Sequence, residues 1–212
     1  MIELVFCEID RPRPDLEHFA SFFPGAAITY KTEKDLPNIF SGHGAGHHMH
    51  DYYQLCHLLQ SSADVAIAFD ADLRIVSRDA GRLPLFAERF GMALPANPRM
   101  LVRVDTLIGA YSDGELDETN GTGYAMNNGV LAFSPRHTGA RKALEAAAGI
   151  IRNHAIRAPL ALWRAFWQTG FAPCLLPPQW CVCREHVGIG NEIILHIGHE
   201  KVARYYAAGR AS

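Results

Sequence analysis

The chain has 212 residues, of which 49% are hydrophobic and 20% are charged, and its formal net charge is −2 at pH 7. These values are ordinary for a globular protein, and the small negative charge excludes a broad electrostatic grip on nucleic acid or on an anionic membrane. Any chemistry with phosphate groups must therefore depend on a local site. The length suits one well-buried core better than two, so we expect a single domain over residues 1–212.

The first residues and the cysteines indicate where the protein works. The apolar stretch from Ile2 to Cys7 is interrupted by Glu3 and has no basic leader, so we interpret it as a strand and not as a signal peptide. No window contains the roughly 18 uninterrupted apolar residues of a membrane span. Five cysteines, an odd number without a CxxC pair, indicate reduced thiols and a cytoplasmic location.

Strand and helix signals alternate along the chain. In chain order, the predicted elements are a strand at 2–7, a helix at 15–23, a strand at 26–30, a helix at 50–60, a strand at 65–69, a helix at 79–90, a strand at 129–133, a helix from Ser134-Pro135 to about residue 153, a helix at 160–169, and strands at 171–176 and 192–196. Strands separated by helices predict an α/β fold with a mixed, mostly parallel sheet flanked by helices.

A Gly/His segment at residues 41–50 precedes the second predicted helix and contains His43, His47, His48 and His50. Flexible glycine spacing makes a poor preformed metal site. We therefore expect a mobile loop near the ligand cleft, with a lid over the ligand or, less favoured, metal binding as the alternatives.

An acidic pair, Asp70 and Asp72, follows the apolar strand Val65–Phe69. Ligands of such sheets gather at the carboxyl ends of the strands. In extended backbone, residues two apart project from the same side, and two hard oxygen ligands suit Mg²⁺ or Mn²⁺. Acidic pairs after strands are also common as turn residues and helix caps, so this pair alone does not define a metal site.

A histidine, His196, follows the apolar residues 193–195 near the end of the chain. It would emerge at the same sheet edge as Asp70 if the two strands are parallel neighbours. Its imidazole could complete a metal site and would favour Mn²⁺ over Mg²⁺. Gly198 allows backbone to approach a ligand closely, and Lys201 supplies a charge for phosphate. The alternative interpretation makes His196 a core histidine and Lys201 a solvated helix residue.

Taken together, the chain resembles the family 8 glycosyltransferases, the retaining group that includes glycogenin and bacterial galactosyltransferases. The matching stretches, in the family's order, are Tyr52-Tyr-Gln-Leu55 for its Tyr-Tyr-Arg-Leu helix, Phe69-Asp-Ala-Asp72 for its D-x-D, Met126-Asn-Asn-Gly-Val130 for its Phe-Asn-Ser-Gly-Val, and His196-Ile-Gly-His-Glu-Lys201 for its H-x-x-G-x-x-K. The last stretch has one residue fewer than the family's motif between the histidine and the glycine. The chain has Gln54 in place of the arginine, lacks the Asp-Gln pair and the Pro-Trp after Lys201, and is shorter than a typical member.

The resemblance implies a GT-A fold, the fold of nucleotide-diphospho-sugar transferases, and a retaining hexosyltransferase that uses a UDP-sugar donor and Mn²⁺ or Mg²⁺. By position, it implies that the metal ligands are Asp70, Asp72 and His196, that the donor-binding residues are Asp70, Ala71, Asp72, Gly198 and Lys201, and that the catalytic residues are Asp70, Asp72 and Asn127. Lys201 would contact the diphosphate and Asn127 the donor sugar.

Two other functions are compatible with the same fold. One is a non-catalytic nucleotide-sugar binder, which the loss of arginine at Gln54 and the short chain favour. The other is a sugar nucleotidyltransferase, although residues 7–14 lack the glycine-rich loop of that class. The acceptor would be a glycan, a lipid or a small molecule, with a homodimer left open and neither nucleic acid nor a membrane span expected.

Overall fold

The structure is a computed structural model that describes residues 1–9, 13–42, 44–97, 125–183 and 187–210. Its helices are α1 (Leu16–Phe22), α2 (Ala45–Gln60), α3 (Leu83–Phe90), α4 (Thr138–His154), α5 (Ala158–Thr169) and α6 (Glu200–Arg210). Its strands are β1 (Ile2–Glu8), β2 (Ala27–Thr32), β3 (Val65–Phe69), β4 (Leu73–Ile75), β5 (Met92–Asn97), β6 (Ala125–Met126), β7 (Val130–Phe133), β8 (Cys174–Leu176) and β9 (Ile194–His196). Within these ranges, no helix combines the length and the apolar surface that a membrane crossing requires.

Seven of the described strands form one sheet in the order β2-β1-β3-β7-β5-β6, with β8 also paired to β5. β1 is parallel to β2 and β3, β7 is antiparallel to β3 and β5, β6 is antiparallel to β5, and β8 is parallel to β5. Five of the seven strands therefore run in one direction, which confirms the predicted mixed, mostly parallel sheet. β4 and β9 form a separate antiparallel pair.

The central strand β3 is buried on both faces, as its continuous apolar sequence predicts. Its side chains alternate between two cores. Ala66 and Ala68 belong to the core built with α2, α4 and α5, whereas Val65, Ile67 and Phe69 belong to the core built with α1 and α3. Packing from both sides fixes the point at which β3 ends, and Asp70 is the next residue.

The second helix begins earlier than the sequence pattern predicts. α2 starts at Ala45 after Gly44, whose φ of 81° ends the preceding turn, so His47, His48 and His50 lie in a helix. The expected mobile loop is therefore wrong for residues 45–50, because the apolar face of the helix extends back to the buried Met49. His43 lies outside the described residues.

The start of α4 also differs from the prediction. Ser134-Pro135 forms a turn in which the His137 N–H donates to the Ser134 carbonyl over 3.0 Å. The helix begins at Thr138, because His137 is the N-cap and its Nδ1 accepts a hydrogen bond of 3.1 Å from the Ala140 N–H. The predicted N-cap at Ser134, with Pro135 as the first helical residue, is therefore wrong, and the helix starts three residues later.

Two glycines provide a paired test of this local structure. Gly91 ends α3 with a φ of 80°, and a Cβ there would lie 2.5 Å from the His137 ring. Gly91→Ala should therefore lower the free energy of unfolding by about 2 kcal/mol or more. Gly149 lies inside α4 and its Cβ would meet no atom within 4 Å, so Gly149→Ala should raise stability by about 0.5–1 kcal/mol. Denaturant unfolding measures both variants, and equal stabilities would contradict this description.

Candidate active site

A cavity of about 320 Å³ opens where β3 ends. Segments from five parts of the chain surround it: α2, the turn after β3, the residues before β7, the start of α5, and the region from Cys183 to the start of α6. The described residues that line the cavity are His47, Asp70, Asp72, Met126, Asn127, Asn128, Arg157, Pro159, Cys183, His196, Gly198 and His199. Most of them are polar, so the cavity suits a polar ligand.

The acidic pair sits in a turn between β3 and β4. The Asp70 N–H donates to the Gly129 carbonyl over 2.8 Å, and the Leu73 N–H donates to the Asp70 carbonyl over 3.3 Å. The backbone therefore forms a turn here and is not extended, and the turn itself brings the two carboxylates to the cavity. Ala71, between them, is buried in the turn.

His196 reaches the acidic pair by another route than the one expected. β9 is not a parallel neighbour of β3. It pairs antiparallel with β4, and His196 lies opposite Leu73, the residue that follows Asp72. The His196 Nε2 lies 3.2 Å from Asp72 Oδ1 and 4.0 Å from Asp70 Oδ2. One ligand atom from each of the three residues lies within 4.8 Å of the others.

The charges of this group are strongly coupled. Burial disfavours a charged His196, but its hydrogen bonds with Asp72 and Cys183 and the negative charges of Asp70 and Asp72 outweigh burial and raise its pKa to about 10. A proton on His196 thus offsets part of the carboxylate charge. A divalent cation would displace that proton, because an imidazole nitrogen that coordinates a metal carries no proton.

The residues present fit a divalent cation. Asp70 Oδ1 is buried and accepts no hydrogen bond from the described residues. A Cβ at position 198 would overlap Asp72 Oδ2, so only glycine leaves room for that carboxylate. Two carboxylates and one imidazole form a donor set that suits Mn²⁺ and, less well, Mg²⁺.

Two cysteines lie on the other side of His196. The Asn127 Nδ2 donates to Cys183 Sγ over 3.2 Å, and this sulfur lies 4.0 Å from His196 Nδ1. The hydrogen bond from Cys181 together with those from His196 and His199 lowers the pKa of Cys183 to about 3 against the effect of burial. Ligand atoms of Cys181, Cys183 and His196 also lie within 4.8 Å of one another. The sequence predicts only free thiols here, because one residue between the two cysteines is not a typical zinc-binding spacing, so this contact has no signal in the sequence.

A fully buried carboxylate, Asp51, joins three parts of the cavity wall. Its Oδ2 accepts hydrogen bonds of 2.7 Å from Arg157 Nε and 2.8 Å from the Ala158 N–H at the start of α5. Its Oδ1 accepts one of 3.2 Å from Asn128 Nδ2. Neither Asp51 nor Arg157 is predicted as a site residue from the sequence. Their only signal is an acid on the apolar face of α2, and it does not identify a partner 106 residues away.

His50 connects this buried carboxylate to the acidic pair. Its Nδ1 lies 3.5 Å from Asp51 Oδ1 and its Nε2 lies 3.6 Å from Asp70 Oδ1. The ring is 1% exposed, so these contacts are shielded from water. His50 therefore links Asp51 to one carboxylate oxygen of Asp70, whereas His196 approaches the other.

The predicted site residues are only partly brought together. Asn127 lies in the cavity wall beside Gly129, whose N–H donates to Asn127 Oδ1 over 2.9 Å, and Gly198 lines the cavity as well. Lys201 is exposed on the first turn of α6 and does not line the cavity. The structure therefore does not place Lys201 where the resemblance to the family put it.

The architecture is similar to that of solved glycosyltransferases. No family model matches the chain, and none of the curated proteins does. A glycosyltransferase involved in the glycosylation of the major capsid of PBCV-1 is 11% identical and superposes with a TM-score of 0.55, over 97% of this chain and 98% of the other. The WbbM bifunctional glycosyltransferase is 13% identical with a TM-score of 0.54, over 99% and 44%.

Mouse xyloside xylosyltransferase 1 is 12% identical and superposes with a TM-score of 0.50, over 92% of this chain and 96% of the other. At such low identities these similarities establish the fold. The chain has the GT-A fold of glycosyltransferases, as the sequence resemblance implied.

Gly198→Ala tests the fit of the cavity for a cation. In the wild type, Mn²⁺ at about 100 times its dissociation constant should raise stability by about 2.7 kcal/mol, and hence the unfolding midpoint by about 5–10 °C. The added methyl group should displace the Asp72 carboxylate and remove this shift. Gly209→Ala in α6, where a Cβ would meet no atom within 4 Å, is the matched control. An unchanged Mn²⁺ response in Gly198→Ala would show that Asp72 holds no cation.

Asp51→Asn tests the buried carboxylate through pH. Burial opposes ionisation, but the hydrogen bond with His50 and the charge of Arg157 hold the pKa of Asp51 well below its ordinary value of 3.8. Ionised Asp51 thus stabilises the fold above the unfolded-state pKa, and this contribution disappears as the pH falls below it. The variant should lose about 3 kcal/mol at pH 7 and show a flatter loss of stability from about pH 5 to pH 2.

Acid titration of unfolding measures this difference, with Asp79→Asn as the control because Asp79 is exposed. A variant that retains the wild-type dependence of stability on pH would contradict the assignment.

Proposed function

We propose that the chain is a metal-dependent glycosyltransferase that transfers a hexosyl group from a UDP-sugar to an acceptor hydroxyl. The observation that carries the proposal is the convergence of Asp70, Asp72 and His196 at one cavity of a GT-A fold. The ordered resemblance to family 8 glycosyltransferases supports the donor class, because the stretches that carry the resemblance include the residues around this cavity.

In this proposal Asp70, Asp72 and His196 hold the divalent cation. When bound, the cation neutralises the diphosphate and makes it a better leaving group. The protein contributes a preorganised pair of carboxylates, because the hydrogen bonds of the turn after β3 fix their position before any ligand arrives. The low exposure of all three side chains limits competition from water.

Asn127 would orient the donor sugar. Its Oδ1 is engaged by the Gly129 N–H and its Nδ2 donates to Cys183 Sγ, so the amide has a fixed orientation in the cavity wall. Because the amide is already ordered, little conformational entropy is lost when it contacts a hydroxyl group. This arrangement supports a role in positioning and not in proton transfer.

The carboxylates of the cavity bear on the stereochemical outcome. Among the described residues that line the cavity, the carboxylates are Asp70 and Asp72, and both belong to the proposed metal group. Among these described lining residues there is no third carboxylate to form a covalent glycosyl-enzyme, as the nucleophile of retaining glycosidases does. Retention, in which the acceptor attacks from the face that the diphosphate leaves, is therefore proposed from the family resemblance.

Asp72→Ala tests the function directly. The wild type should release UDP from at least one member of a panel of UDP-sugars in the presence of Mn²⁺, and the variant should fall to the background rate because the cation loses a ligand. UDP release is measured with and without acceptor candidates and chelator. Asp79→Ala, at an exposed position, should retain the wild-type rate.

Turnover that survives both Asp72→Ala and chelation would exclude this centre. If wild-type protein binds UDP and Mn²⁺ by calorimetry but releases UDP from no donor, the protein is a nucleotide-sugar binder and not an enzyme.

A further inference from the structure

The cavity has an uneven distribution of permanent charge. Two aspartates line it, and Arg157 is the single lysine or arginine among the described lining residues. Lys201, which the sequence suggested for phosphate, is outside the cavity. Among the described residues, Arg157 therefore provides the permanent positive charge that a diphosphate in this cavity could contact.

Arg157 is held in place by a buried partner. Its Nε donates to Asp51 Oδ2 over 2.7 Å, and the arginine side chain is 44% exposed whereas that of Asp51 is 1% exposed. Because Asp51 is buried, its hydrogen bond holds the Nε side of the planar guanidinium group in place, and the side chain of Arg157 remains partly accessible. The remaining N–H groups of a guanidinium match the geometry of phosphate oxygens.

The location of this arginine is also defined relative to the proposed metal group. Asp51 contacts His50, and His50 contacts Asp70 Oδ1, whereas His196 approaches Asp70 from Oδ2. Arg157 is thus linked through Asp51 and His50 to one carboxylate oxygen of Asp70, whereas His196 approaches the other oxygen.

We propose that Arg157 binds the diphosphate of the donor and that Asp51 positions it for this role. The inference rests on the proposed glycosyltransferase function and adds to it the residue that takes the part expected of Lys201. Asp51 offsets the formal charge of Arg157, so the contribution is mainly directional hydrogen bonding and not a gain of net positive charge.

Calorimetry with UDP in the presence of Mn²⁺ tests the proposal. Arg157→Gln should raise the dissociation constant for UDP about ten- to hundredfold, because a charge-assisted pair of hydrogen bonds is lost. Arg157→Lys should recover part of the affinity, since it keeps the charge but not the fork. Arg136→Gln is the matched control, because Arg136 forms an exposed pair of 2.7 Å with Asp64.

Lys201→Gln is the rival variant, and it should bind UDP like the wild type. A large loss in Lys201→Gln together with unchanged binding in Arg157→Gln would overturn the proposal. So would a loss in Arg157→Gln that appears for a UDP-sugar but not for UDP, since this would place the arginine on the sugar.

Two readouts separate binding from a merely structural role. The dissociation constant for UDP should depend less steeply on ionic strength in Arg157→Gln than in the wild type, and unfolding midpoints identify any variant that fails to fold. The effect of Asp51→Asn on UDP affinity should vanish in an Arg157→Gln background if Asp51 acts through the arginine. Additive effects would refute the positioning role.

The failure of this inference is distinguishable from that of the proposed function. Wild-type protein that binds neither UDP nor Mn²⁺ refutes both, whereas wild-type binding that Arg157→Gln leaves intact refutes only the role of the arginine.

Discussion

The candidate site depends on the antiparallel pairing of β4 with β9. β4 follows the Asp70–Asp72 turn without a break, and the register places His196 opposite Leu73. An imidazole that is far from the acids in sequence is thereby fixed within hydrogen-bonding distance of Asp72. Three pairs of facing residues in β4 and β9 hold this arrangement. The Val182 carbonyl supports it by accepting a hydrogen bond from the His196 N–H.

The site concentrates negative charge in a buried region, and the protein offsets it with specific partners. Asp51 is matched by Arg157, by the first N–H group of α5 and by the Asn128 amide. Asp72 is matched by His196 on the other side of the cavity. A buried carboxylate that lost its partner would destabilise the fold by several kcal/mol, roughly 3–5 kcal/mol. Polar residues of the cavity are thus part of the folding energetics as well as of the proposed chemistry.

The sequence predicted the parts of the fold that depend on local patterns. The continuous apolar run of β3 correctly indicated a buried strand, and the acids directly after it lie in the cavity wall. His196 was placed beside them for the wrong reason, because apolar runs do not encode which strands pair. The sequence pattern does not predict the early start of α2, because its first turns contain glycine and histidine, which have low helix propensity. The packing of Met49 in the core outweighs that propensity.

The contact between Asp51 and Arg157 could not be predicted at all. Each residue looks like an ordinary polar side chain in its own segment, and only the packing of α2 against the start of α5 brings them together. The displacement of Lys201 from the cavity has the same origin, since the direction of α6 after His199 is a tertiary property.

The antiparallel orientation of β7 has a wider consequence for mixed sheets. Because β7 runs against β3, the residues that arrive at β7 share a rim with those that leave β3, and the Asp70 N–H bonds to the Gly129 carbonyl there. A sheet edge of this kind is built both from residues that follow a strand and from residues that precede one. A survey of such folds that inspects only the ends of strands would overlook cavity residues that precede an antiparallel strand, such as Asn127 and Asn128.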